Sequence, residues 1–339
     1  MRLFREKARP EAETIAAFWQ WWATARDDVA AALDAGTVPE LADEIGRRVH
    51  AINADLQWEL GPGDTSAHAL AVTPGGQAEI RAVAARWLAA APPADETWSY
   101  RSVRAADPST FESTIELNGH QLELADIRYG LTVNEQNRQI DVVCYHPAFA
   151  GLPDDIRGQI TFLTLDWALG EDDVEIWIGE ITWTVVEPAH SRTPAELRKA
   201  VNTVAAGEDS WVLMRGERKG RPILATAASP LRPARWPRFD LHVPIKLPYQ
   251  RYNEGRLPVD ESLAALRGFE DELSAAVSTN GALVAHETGN RLRTLHFYVD
   301  SQTNARAELE SRLPHWLEGR ASAAVRLDPS FEQVQHLMH

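Results

Sequence analysis

The chain has 339 residues, of which 44% are hydrophobic and 24% are charged, a composition that excludes an intrinsically disordered protein. Its length predicts about two or three domains, because a single core rarely supports so many residues. Its 49 acidic residues against 34 basic ones give a formal net charge of −15, which disfavours nucleic acid and anionic membranes as partners.

Cysteine content and hydropathy restrict the cellular setting. Cys144 is the only cysteine, which excludes an intramolecular disulfide and a zinc site built from several cysteines. The first residues lack the apolar core of a secretory signal, and no apolar run approaches the roughly 20 residues of a membrane span. We therefore expect a cytoplasmic protein.

The negative charge is confined to one part of the chain. Residues 1–210 carry 17 basic and 34 acidic residues, whereas residues 211–339 carry 17 and 15, so the formal charge changes from −17 to +2. The step falls within the stretch 207–210, which has the sequence Gly-Glu-Asp-Ser. We therefore predict two domains, an acidic one over 1–207 and a second one over 211–339.

The acidic part mixes helices with strands. Apolar spacing and turn residues predict, in chain order, helices over 12–34 and 37–53, strands over 55–60 and 68–72, a helix ending near residue 90, and strands over 98–103, 114–117, 121–124, 128–133 and 139–145. Asn118-Gly119 is the strongest hairpin signal. A helix over 153–169, a strand over 174–185 and a helix capped by Thr193 follow. This order predicts an α+β domain with a mostly antiparallel sheet, and a division into two subdomains near residue 105 stays open.

The second part has a recognisable order of elements. Strands are predicted over 211–215 and 222–227, followed by a loop over 230–238, a strand over 239–247, a helix over 259–277, a hairpin over 282–299, a helix over 303–313 and a last strand over 323–327. From residue 239 onward the order is βαββαβ. This order predicts a ferredoxin-like domain.

The second part contains several distinctive short stretches, namely Trp211 and residues 253–258, 269–273, 284–291 and 296–299. On these positions the second part resembles a bacterial family of domains of unknown function, which occurs fused to, or beside, domains like ribonuclease E inhibitor B. The acidic part looks like a segment found ahead of that family, with aromatic residues over 18–21 near its start. The resemblance implies the same fold and no known catalytic residue.

The densest group of carboxylates lies near the end of the acidic part. Clustered carboxylates suit Mg²⁺, Ca²⁺ or general acid/base chemistry, and the candidates are Asp166, Glu171, Asp172, Asp173 and Glu175, with Glu180 close in sequence. Their spacing does not match a calcium-binding loop. We favour a solvated turn between a helix and a strand, and we predict no metal ion and no cofactor.

Histidines are the next candidates, because they titrate near neutrality and ligate metals. His286 and His296 lie on the two arms of the predicted hairpin, and a two-residue turn at Gly289-Asn290 places them on opposite faces of the sheet. We therefore expect isolated histidines. The chain has neither a glycine-rich phosphate loop nor a nucleophile elbow, which disfavours nucleotide hydrolysis and esterase chemistry.

Two sets of residues are candidate interfaces. The aromatic run over 18–22 spans more than one face of its helix, so Trp21 and Trp22 suit a contact with a partner, although core packing is the more frequent explanation. The loop over 230–238 combines cations with an aromatic residue, and its candidates are Arg232, Arg235, Trp236 and Arg238. These residues suit single-stranded nucleic acid or, as we favour, contact with the acidic part of the same chain.

These patterns together favour a non-enzymatic protein-binding or regulatory module, whose partner is another protein. The alternative is a metal-assisted or general acid/base hydrolase that uses the carboxylates between Asp166 and Glu180. No catalytic residue is assigned, and the oligomeric state stays open. A pocket lined by several carboxylates and a histidine favours the enzyme, and a flat acidic or aromatic patch favours binding.

Overall fold

The computed structural model describes residues 10–37, 39–117, 119–207 and 210–338, and it confirms a mixed α+β protein with mostly antiparallel sheets. The chain divides into two compact units, one ending at Arg104 and one beginning at Ala105. The charge step therefore lies inside the second unit, and Glu208 and Asp209 are outside the described residues. In the described part of the chain, no helix is long and apolar enough to cross a membrane.

The first unit combines three helices with a three-stranded sheet. Its elements are α1 (Glu11–Asp34), α2 (Pro39–Ile52), β1 (Gln57–Pro62), β2 (His68–Thr73), α3 (Ala78–Ala89) and β3 (Trp98–Arg101). The strands predicted over 55–60 and 68–72 are confirmed and form the antiparallel hairpin of β1 and β2, and β3 pairs with β2 in parallel because α3 forms the crossover between them. Large aromatic residues, among them Phe18, Trp22, Trp87 and Trp98, fill its core.

The second unit begins with small sheets and helices. These elements are β4 (Thr114–Leu117), β5 (His120–Glu123), β6 (Arg128–Asn134), β7 (Gln139–Tyr145), α4 (Asp154–Leu169), α5 (Glu171–Trp177), β8 (Ile178–Thr184) and α6 (Pro194–Ala205). The β4–β5 hairpin is confirmed by the pairing of Leu117 with His120, and Asn118 of its predicted turn lies outside the described residues. Strands β6, β7 and β8 form one sheet.

The strand predicted over 174–185 is wrong in its first part. Gly170, with φ 87°, follows the last residue of α4, and the helix α5 intervenes before β8 begins at Ile178. Glu171, Asp172 and Asp173 occupy the first turn of α5, where the helix dipole favours negative charge. The acidic group expected in a turn therefore lies on a helix.

The rest of the second unit forms a seven-stranded antiparallel sheet. Its elements are β9 (Ser210–Arg218), β10 (Arg221–Ser229), β11 (Leu241–Pro248), α7 (Asp260–Val277), β12 (Gly281–Gly289), β13 (Leu292–Val299), α8 (Ala305–Arg312), β14 (Ser322–Ala323) and β15 (Arg326–Leu327). The strand order is β14-β11-β13-β12-β10-β9, and β15 also pairs with β11. Strand β9 is thus the last strand at one end of this sheet.

Different elements cover the two faces of this sheet. Helices α7 and α8 pack on one face, with Leu273 and Leu309 among the buried residues, and we call it the helix face. A C-terminal segment packs on the opposite face through Phe331, Val334 and Leu337, and we call it the C-terminal face. Side chains of successive strand residues alternate between these two faces.

The turn of the β12–β13 hairpin lies one residue later than the predicted Gly289-Asn290. Gly289 pairs with Leu292, so the turn is Asn290-Arg291, and both turn residues have positive φ, of 49° and 67°. Positive φ at both central residues is typical of the type I′ turn, which favours Asn at its first position. A two-residue turn at either position pairs residues that are an odd number of positions apart. His286 and His296, ten positions apart, therefore lie on opposite faces, as predicted.

Candidate functional site

Three histidines and one glutamate form a connected polar cluster on the C-terminal face. Nε2 of His242 on β11 lies 3.0 Å from Nδ1 of His296 on β13, and the two rings are stacked. Nε2 of His296 lies 3.8 Å from one carboxylate oxygen of Glu287 on β12, and Nε2 of His336 lies 3.0 Å from the other. The cluster therefore runs from the interior of the sheet to the surface.

Burial and mutual contact shift the acid–base properties of this cluster. Burial, together with the neighbouring His296, lowers the pKa of His242 to about 4, so its imidazole is neutral at pH 7. The imidazoles of His296 and His336 lower the pKa of Glu287 to about 2, so this carboxylate is ionised. The hydroxyl of Tyr298 donates a hydrogen bond of 2.5 Å to Asp328, and burial raises the pKa of this tyrosine.

A second polar cluster lies on the helix face. Arg293 donates hydrogen bonds to Glu270 of α7, at 2.5 Å, and to the hydroxyl of Thr288, at 2.8 Å. Nδ1 of His286 lies 3.7 Å from the same Glu270 oxygen, and burial and the charge of Arg293 lower the pKa of His286 to about 4. Burial raises the pKa of Glu270, although Arg293 opposes this shift. This cluster holds a neutral imidazole beside a buried ion pair.

The expectation of isolated histidines is therefore wrong for the C-terminal face. Glu287 and His336 were missed because 49 residues separate them and no local pattern brings them together. The sequence does contain one usable signal. A two-residue turn in this hairpin, whether at Gly289-Asn290 or at Asn290-Arg291, places Glu287 on the same face of the sheet as His296.

A cleft of about 480 Å³ opens beside this cluster. Glu287 and His336 form part of its wall, and the remaining lining residues are Gln136, residues 213–218 of β9, Ile223, Ala225 and Leu337. These lining residues include no serine, threonine, cysteine or lysine that would act as a covalent nucleophile. The cleft therefore offers apolar surface, paired charges and the edge of a strand.

Strand β9 is long and only partly covered. It pairs with β10 along all nine of its residues, and its other edge has no neighbour in the strand order of the described chain. The side chains of Trp211 and Leu213 are directed to the helix face beyond the covering helices, and these residues are 46% and 55% exposed. An apolar strand edge is thus accessible to solvent.

The carboxylate cluster predicted from sequence is dispersed along two helices. Asp166 lies in the last turn of α4, whereas Glu171, Asp172, Asp173 and Glu175 lie on α5. Burial raises the pKa of Asp173. Over the described ranges, no group of three or more His, Cys, Asp or Glu residues has the arrangement needed to hold a metal ion.

The basic loop over 230–238 turns inward. Arg232 donates a hydrogen bond to the side chain of Gln139 at 3.1 Å, and the backbone N–H of Ala234 donates to a carboxylate oxygen of Glu175 at 3.2 Å. The loop therefore contacts α5 and β7 in the acidic stretch that precedes it. These contacts join the acidic stretch before residue 207 to the segment after residue 210. Both therefore belong to the second compact unit, although their net charges differ.

The other candidate residues of this loop also have intramolecular partners. Arg235 donates to the carbonyl oxygen of Pro230 at 2.9 Å, and its guanidinium lies 4.8 Å from the ring centroid of Trp236. The ring of Trp236 stacks on Phe331. Arg238 donates to the carbonyl oxygen of Thr279 at 2.9 Å. The loop thus closes over the sheet.

The two tryptophans proposed for an interface have different environments. Trp22 is fully buried, and its indole N–H donates to the hydroxyl of Tyr100 at 2.9 Å. Trp22 is therefore a core residue and not an interface residue. Trp21 is partly buried against the same core, with the guanidinium of Arg48 5.3 Å from the centroid of its ring.

Comparison with known proteins adds no functional assignment. No protein-family model matches the chain, and no curated protein or solved structure matches it.

Proposed function

We propose that this protein is a non-enzymatic binding module, which takes up an extended segment of another protein as an additional strand along β9. The observation that carries the proposal is the open edge of a nine-residue strand, with an apolar, exposed first half and a cleft beside it. Strand addition of this kind draws affinity from main-chain hydrogen bonds and specificity from the pockets that receive alternate side chains.

The register of the β9–β10 hairpin identifies the backbone groups that a partner would use. Arg218 pairs with Arg221 across the two-residue turn Lys219-Gly220, so these flanking residues form a hydrogen-bonded pair. Because hydrogen-bonded and non-hydrogen-bonded pairs alternate, the N–H and C=O groups of residues 211, 213, 215 and 217 are directed away from β10. These four residues are the contact points for an added strand.

The side chains along this edge define the chemistry of the partner. Trp211 and Leu213 present an exposed apolar surface on the helix face, and Arg215 follows on the same face. We therefore infer a partner segment with apolar residues at alternate positions, followed by an acidic residue opposite Arg215. Aromatic and cationic side chains of this kind are enriched among the residues that dominate binding energy.

The two ends of the sheet differ in a way that supports this proposal. At the end opposite β9, the strands β14 and β15 are two residues long each. Proteins commonly protect a sheet edge with short strands or charged side chains. The stretch 211–214 of β9 has neither protection, which is the expected condition of an edge that receives a partner.

We further infer that residues 241–327 form a ferredoxin-like domain, to which β9 and β10 are added. The order β14-β11-β13-β12, with helices following β11 and β13, supports this inference. The resemblance to a bacterial domain of unknown function stays a proposal, and it rests on the short stretches between Trp211 and Val299. The proposed docking strand lies outside this ferredoxin-like part.

A pair of variants at one position tests the role of the backbone. Proline is tolerated on an edge strand where the N–H is directed to solvent, so Leu213→Pro removes one outward donor while the sheet is retained. Leu213→Ala shortens the side chain and keeps the N–H. Binding that depends on strand pairing is lost in Leu213→Pro and is weakened only a few-fold in Leu213→Ala.

Peptides selected from a displayed random library on the intact protein serve as the probe, and their affinities are measured by fluorescence anisotropy. Hydrogen exchange at β10 in both variants shows whether the sheet is intact. Selected peptides that bind Leu213→Pro as tightly as the unmodified chain contradict the proposal. A concentration-dependent dimer in analytical ultracentrifugation that Leu213→Pro abolishes assigns the edge to a second copy and also contradicts it.

A further inference from the structure

A pocket of about 610 Å³ lies where the tips of two hairpins meet the loop that contains Arg256. Its cationic lining residues are Arg218, Lys219, Arg221 and Arg256, and the remaining ones are Pro222, Ile223, Gly289, Asn290 and Leu292. None of these nine residues is acidic, although acidic residues outnumber basic ones in the whole chain. Positive charge is therefore concentrated at this end of the sheet.

Two guanidinium groups converge inside this pocket on a neutral atom. Arg221 and Arg256 both donate a hydrogen bond to the side-chain oxygen of Asn290, at 2.9 and 3.1 Å. The two donor nitrogens are thus within about 6 Å of each other, where like charges repel. Neither arginine forms an ion pair with any described residue, whereas Arg218 lies 3.7 Å from Glu287 on the side of the cleft.

Three cationic residues in or beside the pocket have positive φ. Lys219, Arg256 and Arg291 have φ values of 55°, 59° and 67°, in the left-handed region where glycine or asparagine is preferred. The side chain of Arg291 turns aside, with its guanidinium 4.8 Å from the ring centroid of Tyr252. Lys219 and Arg291 occupy two-residue hairpin turns that require positive φ, whereas Arg256 adopts this conformation in a loop, where it costs stability.

The size and chemistry of the pocket define the class of ligand. Guanidinium groups bind phosphate oxygens in pairs, and a pocket of this volume accommodates a small molecule rather than a single ion. The side chains of Pro222, Ile223 and Leu292 add an apolar wall for the uncharged part of such a molecule. We propose that this pocket binds the oligophosphate group of a small molecule, a binding activity beyond the strand addition proposed for β9.

Inorganic tripolyphosphate is the probe for the first test, titrated calorimetrically into the full chain at low ionic strength. We expect saturable binding with one site, and an affinity that falls at least about tenfold in Arg221→Gln and in Arg256→Gln. Arg306→Gln is the matched control, because Arg306 is an exposed cation on α8 that is paired with Glu310. The control changes the net charge equally and retains the affinity of the unmodified chain.

A second variant separates binding from folding. Asn290→Asp places a carboxylate where the two guanidiniums converge, so it supplies internally the charge that the ligand would bring. We expect this variant to raise the melting temperature and to lose tripolyphosphate binding. A nucleoside triphosphate that binds more tightly than tripolyphosphate supports contact with the apolar wall.

The proposal is overturned by any of three results. One is the absence of saturable binding up to roughly millimolar tripolyphosphate. Another is an equal loss of affinity in Arg306→Gln, which would indicate unspecific attraction to charge. The third is unchanged affinity in Asn290→Asp.

Discussion

The two buried neutral histidines, His242 and His286, make the stability of the large sheet depend on pH. In the folded protein the pKa of each is lowered to about 4, from an ordinary value of 6.5. Between these values the unfolded chain binds protons that the folded protein excludes. The contribution of these two neutral histidines to the stability of the fold is therefore fully present above pH 6.5, and it is lost as the pH falls toward 4.

The size of this effect follows from the two pKa values. For one histidine, acidification from pH 7 to pH 5 lowers the free energy of unfolding by about 2 kcal/mol. If the two sites titrate independently, the loss is about 4 kcal/mol. Glu287 adds only about 0.2 kcal/mol in this range, because its pKa in the folded protein is about 2 and its carboxylate begins to bind a proton near pH 5 only in the unfolded chain.

His242→Phe is the variant that tests this assignment. A phenyl ring preserves the stacking on Tyr298, whose centroid lies 4.8 Å from that of His242, but it does not titrate. We expect the variant to lose only about 2 kcal/mol between pH 7 and pH 5. His120→Phe, at an exposed position on β5, is the control and keeps the full dependence.

Urea unfolding at the two pH values, read by brief deuterium pulses over peptides of β12 and β13, measures the sheet separately from the first unit. The absolute stability of His242→Phe is not the readout, because the variant also removes a hydrogen bond to His296. The reasoning is refuted if the difference between pH 7 and pH 5 is the same in His242→Phe as in the unmodified chain.

Three further outcomes are expected in the second unit. Leu273→Ala removes a fully buried side chain of α7 and should lower the free energy of unfolding by about 2–5 kcal/mol in urea titrations, and a loss below about 1 kcal/mol contradicts the packing. Thr193→Ala removes the capping box that Thr193 forms with Glu196 and should cost about 1 kcal/mol, which an unchanged urea midpoint rules out. Burial raises the pKa of the Cys144 thiol to about 11, so a thiol reagent at pH 8 should label it only after unfolding, and rapid labelling of the native protein counts against this burial.

Local signals predicted local structure well. Thr193, Pro194 and Glu196 mark the start of α6, and the apolar spacing of α1 and α7 matches the buried faces of those helices. These signals depend on residues within one or two helical turns of each other. The helix α5 was missed because its alternating apolar residues also fit a strand, and Gly170 did not indicate that a new helix begins there.

The arrangement of the candidate site depends on contacts that no local pattern contains. The cluster of His242, His296, Glu287 and His336 requires the order of three strands in the sheet and the packing of the C-terminal segment on it. The open edge of β9 likewise depends on strand order, because a strand of the same sequence in the middle of a sheet would be covered. Charge along the chain did not locate the boundary between the compact units, because oppositely charged segments pack together across the step.

The position of the C-terminal segment has a consequence for synthesis of the protein. Phe331 and Val334 complete a core that also contains Ala225 of β10, a residue made about a hundred positions earlier. The apolar face of the sheet therefore stays open until residues 331–337 have been synthesised. The strands of this sheet are therefore made well before the segment that closes its apolar face to water, and exposed apolar surface of this kind favours aggregation.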